Sequence, residues 1–436
     1  MKKILLEAPI LTNSGYGEHA RLVFRSIQNL ASDYDIYINP LRWGSTSWSS
    51  DVTLERSLID ACILKNARYN KASSGEPVYD IQIHVGIPNE FSKKAPYSIC
   101  VTAGIETDRV SSEWIIKTTP FSKQGKIDKL IVPSTHSKQS FADTKYSAQT
   151  ASGKTIDLKL DCPIEVVPYP VKTFETIELE NLSLNTKFNF LTVSMWGIRK
   201  NMENTIKWFI DEFREDADVG LIIKTNLSKN SIIDRVETVK KIGSILNQAG
   251  NRKCKVHILH GYMSPRELHA LYKHPNVKAY LSATHGEGYG LPIFEAAYSG
   301  LPVIATDWSA HLDFLSAPIR DKKTGNKKIK KVFARVDYTM KQIQKEAVWE
   351  NILIESSRWA FPKENSFKQQ IRKVYKQYGF YKKRAQILKQ HLLVTHDEQK
   401  VYDQMAMALL SGCGLKKESL KVHNEWSEQT SRIEKL

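Results

Sequence analysis

Short apolar runs recur along the chain, and most are followed by a polar loop and a segment with a helical stripe of apolar residues. The runs occupy residues 3–8, 80–85, 98–102, 129–132, 164–171, 188–193, 220–224 and 255–259. Buried strands of a parallel sheet read as continuous apolar runs rather than as alternating ones. The pattern therefore predicts an α/β protein. A polar stretch without an apolar period, residues 172–187, separates two groups of runs and is interpreted as a linker.

The clearest unit begins with the apolar run 277–283, which predicts a buried strand. A loop with glycine at every second position follows at 286–290. Pro292 suits the first turn of a helix and Gly300 suits its end, before a second predicted strand at 303–305. This order of elements places a helix N-terminus beside the glycine-rich loop, which is a favourable position for a phosphate group.

Two glutamates belong to this unit, Glu287 in the loop and Glu295 one turn inside the helix. Carboxylates accept hydrogen bonds from pairs of sugar or ribose hydroxyls. Backbone N–H groups between them are available to a phosphate, and they belong to Gly288, Tyr289, Gly290 and Leu291. An ordinary strand–helix–strand unit with solvated glutamates is the alternative, and a glycine-rich loop alone favours that alternative.

The full string EGYGLPIFEAAYSGLPVIATD, from Glu287 to Asp307, is more specific. It resembles the E-x7-E signature of the retaining, nucleotide-sugar-dependent glycosyltransferases of family 4. The resemblance implies the GT-B fold, in which two Rossmann-like domains face a central cleft and C-terminal helices cross back to the first domain. It implies an acceptor domain at 1–175, a donor domain at 188–375 and crossing helices at 376–436.

In that family the first glutamate of the signature holds the transferred sugar and the second holds the ribose, which assigns these roles to Glu287 and Glu295. The donor is then a UDP- or GDP-sugar, and no further cofactor is expected. The resemblance also implies a metal-independent reaction, in which basic side chains and a helix N-terminus neutralise the leaving diphosphate.

The family places basic residues just after the first strand of the donor domain. Lys200 matches the usual lysine, whereas the usual arginine falls at Met195. Arg199, or Lys224 at the end of the run 220–224, is expected to replace it. Burying two phosphate charges requires cations and N–H donors together. Surface charge at a helix start is the alternative role for each of these residues.

Two loops of the first half are expected near the cleft. Gly15 and Gly17 follow the first strand and allow a tight turn, and the resemblance implies that they border the donor or the acceptor. A simple strand-to-helix turn is the alternative. Trp43 and Trp48 lie in the polar loop 40–51. They either form a stacking platform for a sugar or base, or pack the loop onto its own domain, and the sequence favours neither.

One position departs from the family pattern. The region TAGIETDRVSSEW resembles a family variant, and Gly104 stands where many relatives place a histidine near the sugar. Glu106 and Asp108 are the nearest replacements, and His84, after the preceding strand, is another. A local ion pair with Arg109 is the alternative role for Asp108.

The composition is that of an ordinary soluble protein, with 436 residues of which 41% are hydrophobic and 25% charged. No apolar run approaches the roughly 20 residues of a membrane span. The start, MKKILLEAPI, predicts a strand rather than a signal peptide. The five cysteines are scattered, without C-x-x-C pairs. They predict reduced thiols in a cytoplasmic protein and no structural zinc.

The formal net charge of +16 indicates the kind of partner rather than the fold. Residues 320–331 contain seven Lys or Arg and predict a hairpin or a mobile loop, for which a solvated surface is the default. The candidate phosphate-binding lysines of this run are Lys322, Lys323, Lys327, Lys328, Lys330 and Lys331.

These charges lead to the leading acceptor hypothesis, a hydroxymethylated pyrimidine in duplex DNA. Phosphate contacts supply most non-specific DNA affinity, and the target base would have to flip out to reach the cleft. An envelope polysaccharide or lipid-linked glycan at an anionic membrane is one alternative. A nucleotide-sugar-binding protein without transfer activity is another, and the intact glutamate pair counts against it.

Overall fold

The computed structural model describes residues 1–28, 34–50, 52–149, 153, 155–179, 182–320 and 325–411. The polypeptide of this part forms two six-stranded sheets, each flanked by helices. All neighbouring strands within the two large sheets run parallel, as the continuous apolar runs predict.

The first sheet is built from β1 (Lys2–Ala8), β2 (Tyr34–Pro40), β3 (Ile81–Val85), β4 (Tyr97–Val101), β5 (Lys129–Val132) and β8 (Ile164–Val166). Their order across the sheet is β2-β1-β3-β4-β5-β8. The predicted strand at 164–171 is shorter than expected. Pro168 and Pro170 have no N–H to donate, so the ladder cannot continue through them.

The helices of the first domain are α1 (Gly15–Gln28), α2 (Leu54–Ala72), α3 (Ser112–Ile116) and α4 (Thr135–Asp143). Ser134 caps α4 by accepting a hydrogen bond from the N–H of Ser137. An antiparallel hairpin of β6 (Lys145–Gln149) and β7 (Thr155–Lys159) follows α4.

The second sheet is built from β9 (Phe188–Val193), β10 (Val219–Lys224), β11 (Lys255–Leu259), β12 (Val277–Ser282), β13 (Val303–Thr306) and β16 (Ala334–Val336). Their order is β11-β10-β9-β12-β13-β16. This order makes β9 and β12 neighbours, although they lie far apart in sequence. The loops that leave their carboxyl ends therefore meet at one edge of the sheet.

The helices of the second domain are α5 (Met202–Phe213), α6 (Ile232–Ala249), α7 (Pro265–Lys273), α8 (Leu291–Ser299) and α9 (Glu364–Lys376). Ser264 and Glu267 form a capping box at α7. Two antiparallel hairpins extend this domain: β14 (Ser316–Arg320) with β15 (Lys327–Lys331), and β17 (Tyr338–Gln342) with β18 (Arg358–Pro362).

The last two described helices, α10 (Tyr378–Thr395) and α11 (Glu398–Leu410), return to the first domain. Lys129, at the start of β5, donates from Nζ to the carbonyl oxygen of Ala408 at 2.8 Å. Gln404 of α11 donates to the carbonyl oxygen of Val166 at 3.1 Å. The predicted architecture, two facing Rossmann-like domains with crossing C-terminal helices, is confirmed. Of the predicted segment 376–436, residues 412–436 lie outside the described part.

Within the described part of the chain, every helix is too short or too polar to cross a lipid bilayer. Cys62, Cys100, Cys162 and Cys254 are free thiols. In the same described residues, no group of three or more His, Cys, Asp and Glu side chains is arranged to bind a metal ion.

Candidate active site

The centre of the candidate site is the N-terminus of α8 and the loop before it. Gly290 caps the helix with φ +92° and Gly300 ends it with φ +89°, a backbone region that glycine adopts without steric cost. Pro292 lies in the first turn, so the predicted strand–loop–helix–strand unit is confirmed. The N–H of Glu287 donates to Oγ of Ser309 at 3.0 Å, which fixes the loop against the chain after β13.

The carboxylate of Glu287 belongs to a buried network of four charges. Nζ of Lys200 lies 2.6 Å from one carboxylate oxygen, and a terminal nitrogen of Arg199 lies 2.9 Å from the other. Arg199 also pairs with Glu106 of the first domain at 2.8 Å and donates to the carbonyl oxygen of Gly286 at 2.6 Å. Two cations and two carboxylates make the network neutral, and it connects the two domains.

This network contains one of the two candidates for the missing arginine. Arg199 and Lys200 lie in a short 3-10 turn after β9, and Glu287 lies in the loop after β12. Because β9 and β12 are neighbours, these loops meet. Met195 is 58% exposed, whereas Lys224 donates to a carbonyl oxygen in the loop after β11 at 2.7 Å. Of Arg199 and Lys224, Arg199 is therefore the one that lies beside Glu287, together with Lys200.

Burial opposes ionisation of Glu287, but the charges of Lys200 and Arg199 outweigh it and lower its pKa to about 2. Glu106 responds in the opposite direction, because burial raises its pKa more than Arg199 lowers it. Burial and the neighbouring guanidinium lower the pKa of Lys200. The network thus holds one firmly ionised carboxylate and one carboxyl that accepts a proton more readily than usual.

Glu295 lies apart from this network and has a different environment. The hydroxyl of Tyr272 donates to its carboxylate at 3.0 Å. Burial raises the pKa of Glu295 to about 7, opposed by that hydrogen bond and by the charge of Lys172. Lys172 is itself ion-paired with Glu18 of α1, so this carboxyl also faces the first domain. A group with this pKa changes its ionisation near neutral pH.

The glycines of the loop contact the first domain rather than forming an open cradle. A Cβ at Gly286 would lie 2.1 Å from the carbonyl oxygen of Glu106, and one at Gly288 would lie 1.8 Å from that of Ala103. Both distances are far below van der Waals contact. Glycine at these positions therefore allows the donor-domain loop to lie directly against the loop after β4.

The first turn of α1, which follows β1 in the chain, contains Gly15 and Gly17, and their surroundings differ. A Cβ at Gly17 would lie 2.1 Å from the carbonyl oxygen of Thr12, whereas Gly15 has open space around it. Between them, the hydroxyl of Tyr16 accepts hydrogen bonds from the N–H groups of Ala103 and Gly104 at 3.2 and 2.9 Å. The turn thus reaches the same loop after β4 that Gly288 contacts.

The two tryptophans of the loop 40–51 have separate roles. Trp43 packs on the ring of Tyr16, with 4.1 Å between ring centroids. Trp48 is 52% exposed and its backbone forms a bridge with Thr12. Trp43 therefore packs the loop onto its own domain, while the ring of Trp48 is open to a partner.

The other sequence candidates lie elsewhere. Asp108 forms the local ion pair with Arg109 at 2.8 Å, and its carboxylate also accepts the first backbone N–H of β18. His84 packs edge-on against Phe91 in the interior of the first domain, where burial lowers its pKa to about 4. Of the three candidates for the missing histidine, only Glu106 reaches the four-charge network.

Sequence reasoning missed two histidines beside the site. His311 has Nε2 2.7 Å from the carbonyl oxygen of Thr306 and Nδ1 3.3 Å from Oγ of Ser309. His136 of α4 packs edge-on against Trp308, with 4.9 Å between ring centroids. Both histidines have lowered pKa values because they are buried. The sequence position of His311 indicates its place near the site, because the string DWSAH that contains it directly follows the carboxyl end of β13.

The predicted hairpin is confirmed for the described residues of the basic run. Every side chain of Lys327–Lys331 on β15 is exposed. Lys331 is also ion-paired, since its Nζ lies 2.6 Å from a carboxylate oxygen of Asp307. Lys322 and Lys323 lie outside the described residues.

Part of the second domain matches a known protein family. Residues 244–325 match the family model described as glycosyl transferases group 1, and this segment contains both Glu287 and Glu295. It leaves Arg199 and Lys200 outside. No curated protein matches the chain.

Solved structures resemble the chain over nearly its whole length. Sucrose-phosphate synthase from Thermosynechococcus elongatus is 12% identical, with a TM-score of 0.56, and the match covers 93% of this chain and 98% of that one. The Anabaena protein HepE in complex with UDP-glucose has 12% identity, a TM-score of 0.56 and coverages of 94% and 100%. The lipopolysaccharide outer core galactosyltransferase WaaB has 14% identity, a TM-score of 0.51 and the same coverages. The chain has the fold of these GT-B glycosyltransferases, and its glutamate pair lies in the segment that matches the family model.

Proposed function

We propose that this protein is a retaining glycosyltransferase that transfers a sugar from a nucleotide-sugar donor to an acceptor hydroxyl. The observation that carries the proposal is the buried network around Glu287. It places two cations, Arg199 and Lys200, close to the N-terminus of α8. A departing nucleoside diphosphate develops negative charge, and fixed cations in a site with little water stabilise that charge strongly.

The two glutamates then bind different parts of the donor. Glu287 is firmly ionised, so its oxygens are strong acceptors for the hydroxyls of the transferred sugar. Glu295 lies one turn into α8 and accepts hydrogen bonds from the ribose. A diphosphate would take over part of the pairing that Arg199 and Lys200 now make with Glu287 and Glu106. Because Arg199 and Lys200 already supply two positive charges, we propose a reaction without a metal.

Retention of configuration follows from a reaction in which the acceptor attacks on the face that the diphosphate leaves. The leaving diphosphate takes the proton of the acceptor hydroxyl, and no covalent sugar–enzyme intermediate forms. Glu106 is the first-domain carboxyl that belongs to the four-charge network. Its pKa is raised by burial, and we propose that it orients the transferred sugar in place of the missing histidine.

The acceptor that we propose is a hydroxymethylated pyrimidine in duplex DNA. The net charge of +16 and the exposed lysines of β15 support a polyanionic acceptor. Trp48, with its ring exposed beside the turn after β1, is available to stack on a base. The target base would leave the duplex stack to reach the cleft.

A glycan acceptor at an anionic membrane is the second candidate. One observation favours it: α10 exposes Phe380, Ile387 and Val394 on one face, with Lys383 beside them. Apolar side chains between basic ones suit a lipid headgroup layer. A nucleotide-sugar-binding protein without transfer activity is the third candidate.

The experiment is to incubate the protein with radiolabelled UDP- or GDP-sugars, alone and with hydroxymethylated DNA, unmodified DNA or membrane extract. UDP-glucose is tested first, because the HepE structure contains it. We expect label in hydroxymethylated DNA only, with the α-configured donor giving an α-linked product. Label in the membrane fraction would support the second candidate. Donor binding without hydrolysis or transfer under any condition would support the third.

A further inference from the structure

We propose that the β14–β15 hairpin and the first turns of α10 form one duplex-DNA-binding surface. We call it the ribbon surface, and it consists of Arg320, Lys327, Lys328, Lys330, Lys382, Lys383 and Arg384. The inference rests on the proposed function, since it concerns how the DNA acceptor is held. It adds to that function a binding element built from two segments that lie far apart in sequence.

The two segments are joined by direct contacts. A terminal nitrogen of Arg384 donates to the carbonyl oxygen of Lys331 at 2.5 Å, which fixes α10 to the end of β15. Gln386 donates to the carbonyl oxygen of Gly300 at 3.2 Å, which fixes α10 to the end of α8. The hairpin and the helix therefore present their cations on one connected unit that includes α8, the helix of Glu295.

The positive charge of the ribbon surface is not neutralised by acidic residues of its own segments. The segment 378–395, which forms α10, contains no Asp or Glu, and neither do the described residues of the hairpin. Asp307 neutralises only Lys331 and Arg335. Arg320 lies directly opposite Lys327 in the hairpin register. Like charges at directly opposite positions destabilise a hairpin, so an external anion would stabilise this arrangement.

The shape of the hairpin favours duplex DNA over a membrane. Successive side chains of a strand point to opposite faces, so Lys327 belongs to one face and Lys328 and Lys330 to the other. All of them are exposed, so β15 presents cations on both of its faces. On β14, Ala317 is buried on the face of Lys328 and Lys330. A membrane is a plane and contacts one face, whereas the major groove admits a two-stranded ribbon and offers phosphates on both sides.

The ribbon surface also begins at the carboxyl edge of the second sheet, where the candidate site lies. Lys331, at the base of the ribbon, pairs with Asp307, which directly follows β13. Two residues further, Oγ of Ser309 accepts the N–H of Glu287. The ribbon thus begins at the same carboxyl edge of the sheet as the sugar-binding loop. DNA held by the ribbon would lie next to the cleft.

The test compares two triple variants of equal charge. In the ribbon variant, Lys327, Lys328 and Lys330 are replaced by Gln. In the control variant, Lys229, Lys240 and Lys255 are replaced by Gln; these lysines are exposed and belong to the β10–β11 side of the second domain, opposite β13. Fluorescence anisotropy measures the affinity for a duplex of about 20 base pairs, which is longer than one turn of about 10 base pairs, over a range of salt concentrations.

We expect the ribbon variant to bind the duplex more weakly and to reduce the slope of log affinity against log salt by up to about 0.9 per lost phosphate contact. The control variant should keep the wild-type slope. Adding Lys382→Gln and Lys383→Gln to the ribbon variant should reduce the slope further. Equal losses in ribbon and control variants would mean that only net charge matters and would overturn the proposal, as would an unchanged slope in the ribbon variant.

Two further measurements separate the alternatives. Binding to phosphatidylserine vesicles is measured for the same variants, and a ribbon variant that loses vesicle binding but keeps DNA binding would overturn the DNA surface in favour of lipid. Hydrolysis of the donor in the absence of DNA is measured on the wild-type protein. If hydrolysis and transfer are absent while the DNA slopes change as expected, the transferase proposal fails and the ribbon surface stands.

Discussion

The close approach of Gly288 to the first domain allows a sharp prediction about domain closure. In Gly288→Ala the new Cβ would lie 1.8 Å from the carbonyl oxygen of Ala103 and 3.0 Å from its carbonyl carbon. An ordinary C···O contact is about 3.3 Å, so the two backbones would have to separate by about 1.5 Å. Both clashing atoms of the first domain are backbone atoms, so no side-chain rotation relieves the overlap.

This separation acts on the site because Glu106, three residues after Ala103, pairs with Arg199. A displacement of about 1 Å in a reacting geometry can reduce rate about 100-fold. We therefore expect kcat/KM for transfer to fall by about 100-fold or more, equivalent to about 2.7 kcal/mol of transition-state stabilisation. Steady-state kinetics with a labelled donor measures this loss, and calorimetry measures the accompanying loss of donor affinity.

Two variants test the reasoning. Gly243→Ala, inside α6, places its Cβ in open space and should keep wild-type activity while stabilising the helix by about 0.5–1 kcal/mol. Ala103→Gly added to Gly288→Ala should restore nothing, because the carbonyl oxygen stays in place. Wild-type kcat/KM in Gly288→Ala, or rescue by Ala103→Gly, would refute the backbone clash as the cause.

Four further predictions concern the donor site. Lys200→Met should weaken nucleotide-sugar binding by about 1.5–3 kcal/mol, or about 10-fold to 160-fold. The control Lys207→Met, on the surface of α5, should leave the affinity unchanged. If calorimetry gives the same donor affinity for Lys200→Met and the wild-type protein, Lys200 does not belong to the site. Affinity for an intact UDP-sugar should rise as pH increases through about 7, because Glu295 becomes a charged acceptor, and Glu295→Gln should make the profile flat. Because the pKa of Glu295 is raised on folding, this group contributes to the free energy of unfolding below pH about 4.5. The contribution is lost as pH rises through about 7. Chemical denaturation at several pH values measures this loss. Transfer should persist in excess chelator, and activity that is abolished by chelator and restored by a divalent ion would contradict the metal-free reaction.

Much of the fold follows from local sequence, but some elements do not. α2 carries no clear signal, since it buries only Ile59 and Asn66 among its described side chains. A helix with so little buried surface has no apolar stripe for periodicity to detect. By contrast, α1 buries nine residues, and the apolar ones among them form a stripe at helical spacing.

The sequence by itself determined the unit around α8. Gly290, Pro292 and Gly300 act through local backbone geometry, and local geometry depends on neighbours in the chain. For the basic run the sequence left a hairpin and a mobile loop open, and the pairing of β14 with β15 shows the hairpin. The charge of the basic run and the spacing of Glu287 and Glu295 are also properties of the sequence alone.

Only the tertiary structure decided which charges meet. Arg199, rather than Lys224, pairs with Glu287 because β9 is the neighbour of β12 in the sheet, and the order of strands is not written in the order of the chain. Glu106 enters the network because the domains face each other, which also explains why Gly288 has no room for a side chain. Residues that meet through such long-range packing have no fixed spacing in the sequence. The sequence can therefore identify them as candidates, but it cannot predict which of them contact each other.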